Sequence, residues 1–574
     1  MSTAPTTPPT AGTPPPGTTT PMSGMTWAWL VALLGWTTLL CFYHLDGGAR
    51  FEPIDCWVAQ TAREMREAGD WLVPRFSGET RMQKSPGPYW AVMLTSILRD
   101  TPVDEVSARI PNAVAAIILV ATIFWLTRRI AGDRAAVFGG FAASASVLIL
   151  WWSHRGASDL GLTTCTTLAL AALWIAAEAE PPGRKRSLLF LLGYFAAGLG
   201  MLWKMPLPLV LVGAPVLVYL LTRSRWSLFV DRVHLIGLPV YLAAGVGLVF
   251  LFDVPRAMFA AGWLLLPLIY LAVRSHWPLL GNRVHLVGLG LFLLPWLPWA
   301  IAVGCHEPNA LAKWQVEFLD RFTGNLPNVE GQRAWYYHFI YLLPPLLYCL
   351  PFSLSLPQAF ARAFRRRPGV NRDGTLFLAI WFLSHFVFFT AAAGKELRYF
   401  LPALPPLFVL LGMELAAFFS PARTATPARD RLGARAVWIG VPLAFIGGAF
   451  ALYFAWFRQI GSPEDFAWRE VWPPYLVTAV IFSAGAALAA WLYLRRREHA
   501  SFGALVGTMW LTWAWVWPQV MPVFMSQRPF LNFAKQLQQR IDPGRQGQLR
   551  QIGSQDSRIT WYSDYRFPRL IDQL

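Results

Sequence analysis

Only 14% of the 574 residues in this chain are Asp, Glu, Lys or Arg, so the side chains that could do chemistry are few. Several gather in short polar segments between apolar runs. Glu52 and Asp55 precede Ala62-Arg63-Glu64-Met65, and Lys84 follows within Gln83-Lys84-Ser85-Pro86. Arg155 and Asp159 share a second segment, Arg321 lies in a third, and Lys395-Glu396-Leu397-Arg398-Tyr399 forms a fourth. A carboxylate in such a place can take a proton from a hydroxyl once geometry brings the two together. An Asp ahead of an amphipathic stretch is also what a helix N-cap looks like, and spacing alone does not choose between these roles for Asp55. Lys204 and Arg109, at the ends of apolar runs, fit ordinary snorkelling side chains equally well. Lys395, Glu396 and Arg398 equally fit a solvated turn, while His154 and His338 sit beside aromatic or basic neighbours and read as interfacial packing. No CxxC pair occurs among Cys41, Cys56, Cys165, Cys305 and Cys349, and no His and carboxylate cluster has ligand spacing, so no metal or cofactor requirement is expected.

The elements that position these residues must be membrane helices. With 55% apolar residues, 29 Trp and a mean hydropathy of +0.40, the chain carries far more apolar surface than a soluble core of this length needs. Runs of about 20 apolar residues, the length needed to cross the hydrocarbon core, recur along it. Helices are expected near residues 27–45, 106–127, 136–152, 161–179, 187–203, 206–222, 235–253 and 256–273. Seven more are expected near 285–304, 336–357, 375–393, 400–420, 437–457, 474–494 and 502–521, giving an all-α integral membrane protein of about 15 spans. Residues 1–24, rich in Pro and Thr and free of charge, read as a disordered cytoplasmic tail. Residues 522–574 read as a small external segment packed on the loops, too short for a large core of its own. Arg223-Ser-Arg-Trp and Arg274-Ser-His-Trp open two similar stretches 51 residues apart, so 223–285 holds a duplicated unit that adds two helices and keeps the downstream orientation.

The net charge of +17 resides largely in short loops: Arg128, Arg129 and Arg134; Arg184, Lys185 and Arg186; Arg223 and Arg225; Arg362 to Arg367; Arg423 to Arg435; Arg495 to Arg497. This is the positive-inside pattern rather than a nucleic-acid footprint, and it places those loops in the cytoplasm with the amino terminus. The polar segments 46–105, 153–160, 305–335 and the carboxyl tail then face outward, which is where an active site belongs. Within 46–105, Val58, Ala62 and Met65 share one helical face, with Arg63, Glu64, Arg66 and Glu67 opposite, so a helix lying on the membrane surface is expected there, ended by Gly69-Asp70. A second follows Pro86.

Glu52-Pro-Ile-Asp, Ala62-Arg-Glu-Met, Gly69-Asp-Trp-Leu-Val-Pro and Gln83-Lys-Ser-Pro resemble the opening of the membrane glycosyltransferases of the glycosyltransferase C superfamily, which include lipid A aminoarabinose transferase and protein O-mannosyltransferases. Ala108-Arg-Ile-Pro, Arg155, Asp159, Lys204-Met-Pro, Arg321-Phe and Lys395-Glu-Leu-Arg-Tyr-Phe-Leu-Pro continue the resemblance in order. It implies a core of about 13 helices, to which the duplicated pair adds two. It also implies a polyprenyl-phosphate sugar donor and a lipid, glycan or protein acceptor, used at the periplasmic face of a bacterial inner membrane. In that reading Asp55 is the general base with Glu52 in reserve, and Asp159 orients the acceptor. Lys84, Arg155, Lys204 and Arg398 hold the donor phosphate, supported by Arg109, Arg321, Lys395 and Tyr399. The family's first acidic motif carries an adjacent acid pair and then Arg-Tyr; here Ile54-Asp55 and Trp57-Val58 stand in those places. Gln83 stands where relatives often have Glu, so a metal contact there would be lost. A transporter or a non-catalytic lipid-binding protein is the alternative, and it would place ionisable groups near the bilayer midplane.

Overall fold

A computed structural model describes residues 21–47, 51–82, 84–227, 256–317, 321–323, 335–364, 371–419, 468–522, 529–541 and 556–566. The apolar runs in it are helices. Six are long and apolar enough to cross a membrane, and up to nine if each bent pair counts as one span. The expected spans 235–253 and 437–457, the middle of the 223–285 unit and most of the 1–24 tail lie outside the described residues, so the expected count of about 15 does not follow from the described helices.

The first span, α1 (Gly24–Phe42), starts where the Ser23 hydroxyl accepts the Thr26 N–H at 3.1 Å. After the external loop comes α4 (Glu105–Ser144), capped by Asp104, whose Oδ1 accepts the Ser107 N–H at 2.7 Å. Two spans were expected within it, and α4 folds back on itself at Gly132, where φ is +83° and ψ 177°. Only glycine adopts that backbone readily. The reversal brings Gly139 beside Thr127 and Gly140 beside Phe124, and a Cβ on Gly412 would stand 2.6 Å from the Ala135 carbonyl oxygen. Small residues thus let the helix Pro405–Phe418 cross α4 at backbone contact, the usual basis of packing where lipid removes the hydrophobic drive between helices.

Several expected straight spans are broken. Val284–Leu293 and Leu297–His306 meet at 40°, Phe339–Tyr348 and Ser353–Ala361 at 115°, and Leu397–Ala403 and Pro405–Phe418 at 57°. Pro351 and Pro402-Ala403-Leu404-Pro405-Pro406 stand at or beside the two larger bends, where proline cannot continue the intrahelical hydrogen bonding.

One end of the bundle is basic and neutralised by acids: Glu180 meets Arg129 at 3.2 Å and Lys185 at 3.0 Å, and Arg223 meets Glu178 at 3.0 Å and Asp373 at 3.4 Å. The span Asp159–Ala179 has 21 residues, so Asp159 lies about 30 Å from that end. At its level sits the 46–105 loop, built from α2 (Pro53–Ala68), a two-stranded hairpin (Arg75–Phe76 with Glu79–Thr80) and α3 (Gly87–Leu98). Gly69, at φ +65°, ends α2 as expected. The exposed acidic face expected for α2 is only partly so. Glu64 is buried, and its carboxylate accepts the Ser77 and Gly78 N–H groups at 2.7 and 2.9 Å, closing the hairpin turn.

The carboxyl-terminal helix Ser557–Ser563 lies on this loop. Ser557 Oγ donates to the Pro53 carbonyl at 2.8 Å, and the Phe51 N–H donates to the Tyr562 hydroxyl at 2.7 Å. Tyr562 in turn donates to Glu105 at 2.9 Å.

Candidate active site

Asp55 is not ahead of α2 but inside it. Pro53 starts the helix, its fixed φ suiting the first position. Glu52 is the N-cap, and Asp55, three residues on, accepts the Glu52 N–H at 3.1 Å. The same carboxylate accepts the Gly156 N–H at 3.0 Å and pairs with Arg155 Nη2 at 2.8 Å, with 1% of the residue exposed. Asn112, on α4, fixes the 153–158 segment by donating to the Arg155 and Ala157 carbonyls at 2.8 and 2.6 Å. Asp55 therefore joins the 46–105 loop to the segment before α6 (Asp159–Trp174).

Arg109 is no snorkelling side chain. It is 1% exposed, pairs with Glu105 at 3.3 Å and donates to the Leu45 carbonyl. His154 packs against Trp517 at 4.4 Å and meets the Tyr43 carbonyl at 3.1 Å; burial pushes its imidazole down to about 4, so it is neutral across the physiological range.

A second group gathers around Asp159, the first residue of α6, where a carboxylate is favoured by the helix dipole. Lys204, the last residue of α7 (Arg184–Lys204), reaches Asp159 Oδ1 at 2.8 Å, and Arg398 Nε stands 3.8 Å from Oδ2. Gly161 makes this approach possible, since a Cβ there would stand 2.1 Å from the Trp203 indole nitrogen. The Tyr399 ring lies 4.6 Å from the Lys204 ammonium. Among the described residues Asp159 Oδ2 and Arg398 Nε are buried and have no hydrogen-bond partner, facing each other as an ion pair at 3.8 Å.

Beside this group opens a small cavity of about 80 Å³. Lys84, Lys204, Ser85, Glu317 and Tyr399 form its polar part; Phe322, Phe388, Phe389, Leu207 and Met205 form its apolar wall. Lys84 pairs with Glu317, and Ser85 Oγ accepts the Met205 N–H at 2.9 Å, tying the start of α3 to the end of α7. A polar part carrying two lysines beside an aromatic and aliphatic wall suits an amphiphile with an anionic head.

Of the residues singled out in the sequence, Lys84, Asp159, Lys204, Arg398 and Tyr399 come together. Glu52, Asp55, Arg109 and Arg155 form the adjoining group. Lys395 does neither, nor is it a solvated turn: it is buried and donates to the Thr390 and Ala392 carbonyls at 2.7 and 2.6 Å, capping the helix Arg372–Ala391. Gln83 and the side chains of Arg321 and His338 lie outside the described residues. Glu317 and the aromatic wall had no sequence motif of their own, although Glu317 falls in the 305–335 segment already marked as external. Among the described residues no three His, Cys, Asp or Glu side chains meet as a metal-binding group.

The family described as dolichyl-phosphate-mannose-protein mannosyltransferase matches residues 83–248. An undecaprenyl phosphate-alpha-4-amino-4-deoxy-L-arabinose arabinosyl transferase of Enterobacter sp. (strain 638) is 26% identical over 69% of this chain, which spans 60% of that relative's length. The enzyme of the same name from Pseudomonas aeruginosa (strain UCBPP-PA14) is 28% identical over 89% of this chain and 79% of its own. The crystal structure of ArnT from Cupriavidus metallidurans bound to undecaprenyl phosphate superposes with a TM-score of 0.69 at 21% identity, covering 94% of this chain and 85% of that one. The archaeal oligosaccharyltransferase AglB from Archaeoglobus fulgidus, in complex with an inhibitory peptide and a dolichol-phosphate, gives 0.53 at 13% identity over 96% and 65%. The chain thus shares the fold of ArnT from Cupriavidus metallidurans and resembles aminoarabinose transferases and O-mannosyltransferases.

Proposed function

We propose that this chain is a membrane glycosyltransferase that moves a sugar from a polyprenyl-phosphate donor to a lipid, glycan or protein acceptor at the periplasmic face of a bacterial inner membrane. The cavity carries the reading: Lys84 and Lys204 line it, Arg398 is adjacent through Asp159, and Phe322, Phe388 and Phe389 line its wall. Such a site takes a phosphate at one end and an isoprenoid along the other. The relatives are named for a 4-amino-4-deoxy-L-arabinose donor, which makes undecaprenyl-phosphate aminoarabinose the first donor to test and lipid A the first acceptor.

The phosphate leaves with the electron pair of the broken bond to the sugar's anomeric carbon, so no general acid is required. Lys84 and Lys204 hold its growing charge, and a preorganised cationic site out of bulk water does this better than solvent. Glu317 now pairs with Lys84, and the incoming phosphate replaces it. The acceptor hydroxyl forms the new bond to the anomeric carbon and gives its proton to Asp55. For that, Arg155 moves from Asp55 Oδ2 toward the donor phosphate, so the base is uncovered only when donor is bound. Asp159 keeps Lys204 and Arg398 aimed.

The test is turnover of the full-length protein with undecaprenyl-phosphate aminoarabinose and lipid A. Asp55→Asn is expected to lower kcat at least about 100-fold while donor binding persists. Because removing one partner of a buried ion pair costs about 3–5 kcal/mol, Asp55→Asn is paired with the Asp55→Asn, Arg155→Gln double variant, which should recover the melting temperature but not turnover. Turnover in either variant at the unmodified rate excludes Asp55 as the base.

A further inference from the structure

A second cavity, of about 540 Å³, lies at the other end of the bundle, between α1, the second half of α4 and the helix Glu498–Trp515. Its lining is graded. Thr26, Asp133, Arg134 and His499 stand at one level; Trp29, Val137, Phe138, Phe141, Phe502, Val506 and Trp510 run inward from there. His499 and Trp510 are eleven residues apart on one helix, so the groove extends about 16 Å along it. Asp133, the acid among these residues, is already neutralised, receiving the Thr26 hydroxyl at 2.7 Å and Arg128 Nε at 2.6 Å. Arg134, which donates to the Phe419 carbonyl at 2.5 Å, and His499 are exposed; Arg495, Arg496 and Arg497 lie exposed just before the helix, which the half-buried Glu498 opens. The aromatic rings also contact one another: Trp29 meets Phe141 edge-on at 6.0 Å, and Phe141 meets Trp510 tilted at 5.8 Å.

The level of this polar rim is fixed by Arg128 and Arg129. Arg129 pairs with Glu180 at 3.2 Å, beyond the far end of the span that Asp159 begins, so the rim and the candidate active site lie on opposite membrane faces. From these observations we infer that the groove is a binding site for one anionic phospholipid of the cytoplasmic leaflet. Its phosphate sits between Arg134 and His499, and an acyl chain lies against Phe138, Phe141 and Trp510. The occupant is a lipid because polarity falls from headgroup to chain over the depth of one leaflet. It is anionic because the exposed Arg134 and the neighbouring Arg495, Arg496 and Arg497 outnumber Glu498, while Asp133 is held by Arg128. Bound there, it joins α1 to the last helices of the bundle, independently of sugar transfer.

The experiment uses the full chain purified in neutral detergent and stripped of lipid, with lipid retention followed by native mass spectrometry. The probes are palmitoyl-oleoyl phosphatidylglycerol and the matching phosphatidylcholine. Phosphatidylglycerol should be retained at lower concentration than phosphatidylcholine, and Arg134→Gln with His499→Gln should weaken it about fivefold or more, as expected for one cation near a headgroup. Gly503→Leu keeps every charge and places its side chain in open space in the groove; it should weaken retention of phosphatidylglycerol while the melting temperature without lipid stays unchanged. Equal retention of the two lipids overturns the inference, as does wild-type retention in both variants. A rise in melting temperature with inorganic phosphate equal to that with phosphatidylglycerol also overturns it, marking a site for free anion.

Discussion

Lys204 is the residue on which the proposed donor site turns, because the Asp159 carboxylate at 2.8 Å and the Tyr399 ring at 4.6 Å leave its ammonium aimed at one place. Charge-assisted hydrogen bonds contribute about 1.5–3 kcal/mol, so Lys204→Ala or Lys84→Ala should weaken binding of undecaprenyl phosphate about 10- to 150-fold, with Lys204→Arg recovering part of the loss. Titration of the purified variants with the lipid phosphate measures this, and unaltered affinity in both would remove the phosphate from this cavity. His154 makes a different prediction. Its imidazole titrates near 4 in the folded protein against 6.5 when free, so the folded state binds fewer protons between those values. Stability is therefore full above pH 6.5 and declines as pH falls toward 4, by about 3 kcal/mol for this group. The melting temperature should drop over that window, and His154→Phe should flatten the drop; a profile identical to wild type would assign the acid sensitivity elsewhere.

At the scale of elements, the helix that carries Asp55 is held from outside by the carboxyl-terminal helix. Tyr562 receives the Phe51 N–H and donates to Glu105, which pairs with buried Arg109. Burial and the neighbouring Glu105 carboxylate push the phenol well above its usual range, so it stays a donor. Tyr562→Phe takes the acceptor from the Phe51 N–H and one donor from Glu105, which costs about 1–3 kcal/mol. Faster hydrogen exchange in residues 51–68 with unchanged affinity for undecaprenyl phosphate is the expected result. Exchange unchanged in that segment would mean the contact does not hold α2. The surface helices themselves were legible in the sequence: Gly69 and Pro86 mark a stop and a start that the structure keeps. The broken spans were not, because hydropathy reports burial in lipid and is indifferent to a bend, whereas Pro351 and Pro402 to Pro406 redirect the chain only once neighbours pack against both halves.

For the molecule as a whole, the orientation rests on charge. With the basic loops inside, Cys305 falls on the external side, and it is the exposed one among the five cysteines. A membrane-impermeant maleimide added to cells with permeabilised outer membranes should label the chain, and Cys305→Ser should abolish the labelling; labelling seen only after inner-membrane disruption would invert the topology. Composition and the positive loops were enough to determine from sequence that the chain is a helical membrane protein with its polar chemistry collected on one face, because lipid tolerates few arrangements of backbone and charge. The motif order was enough to suggest the donor class. Only the tertiary structure divided the polar residues into an Asp55 and Arg155 group and an Asp159, Lys204 and Arg398 group, removed Lys395 to a helix cap, and brought Glu317 to Lys84. Those assignments depend on which side chains from distant segments share one desolvated space, and no spacing along a single chain records that.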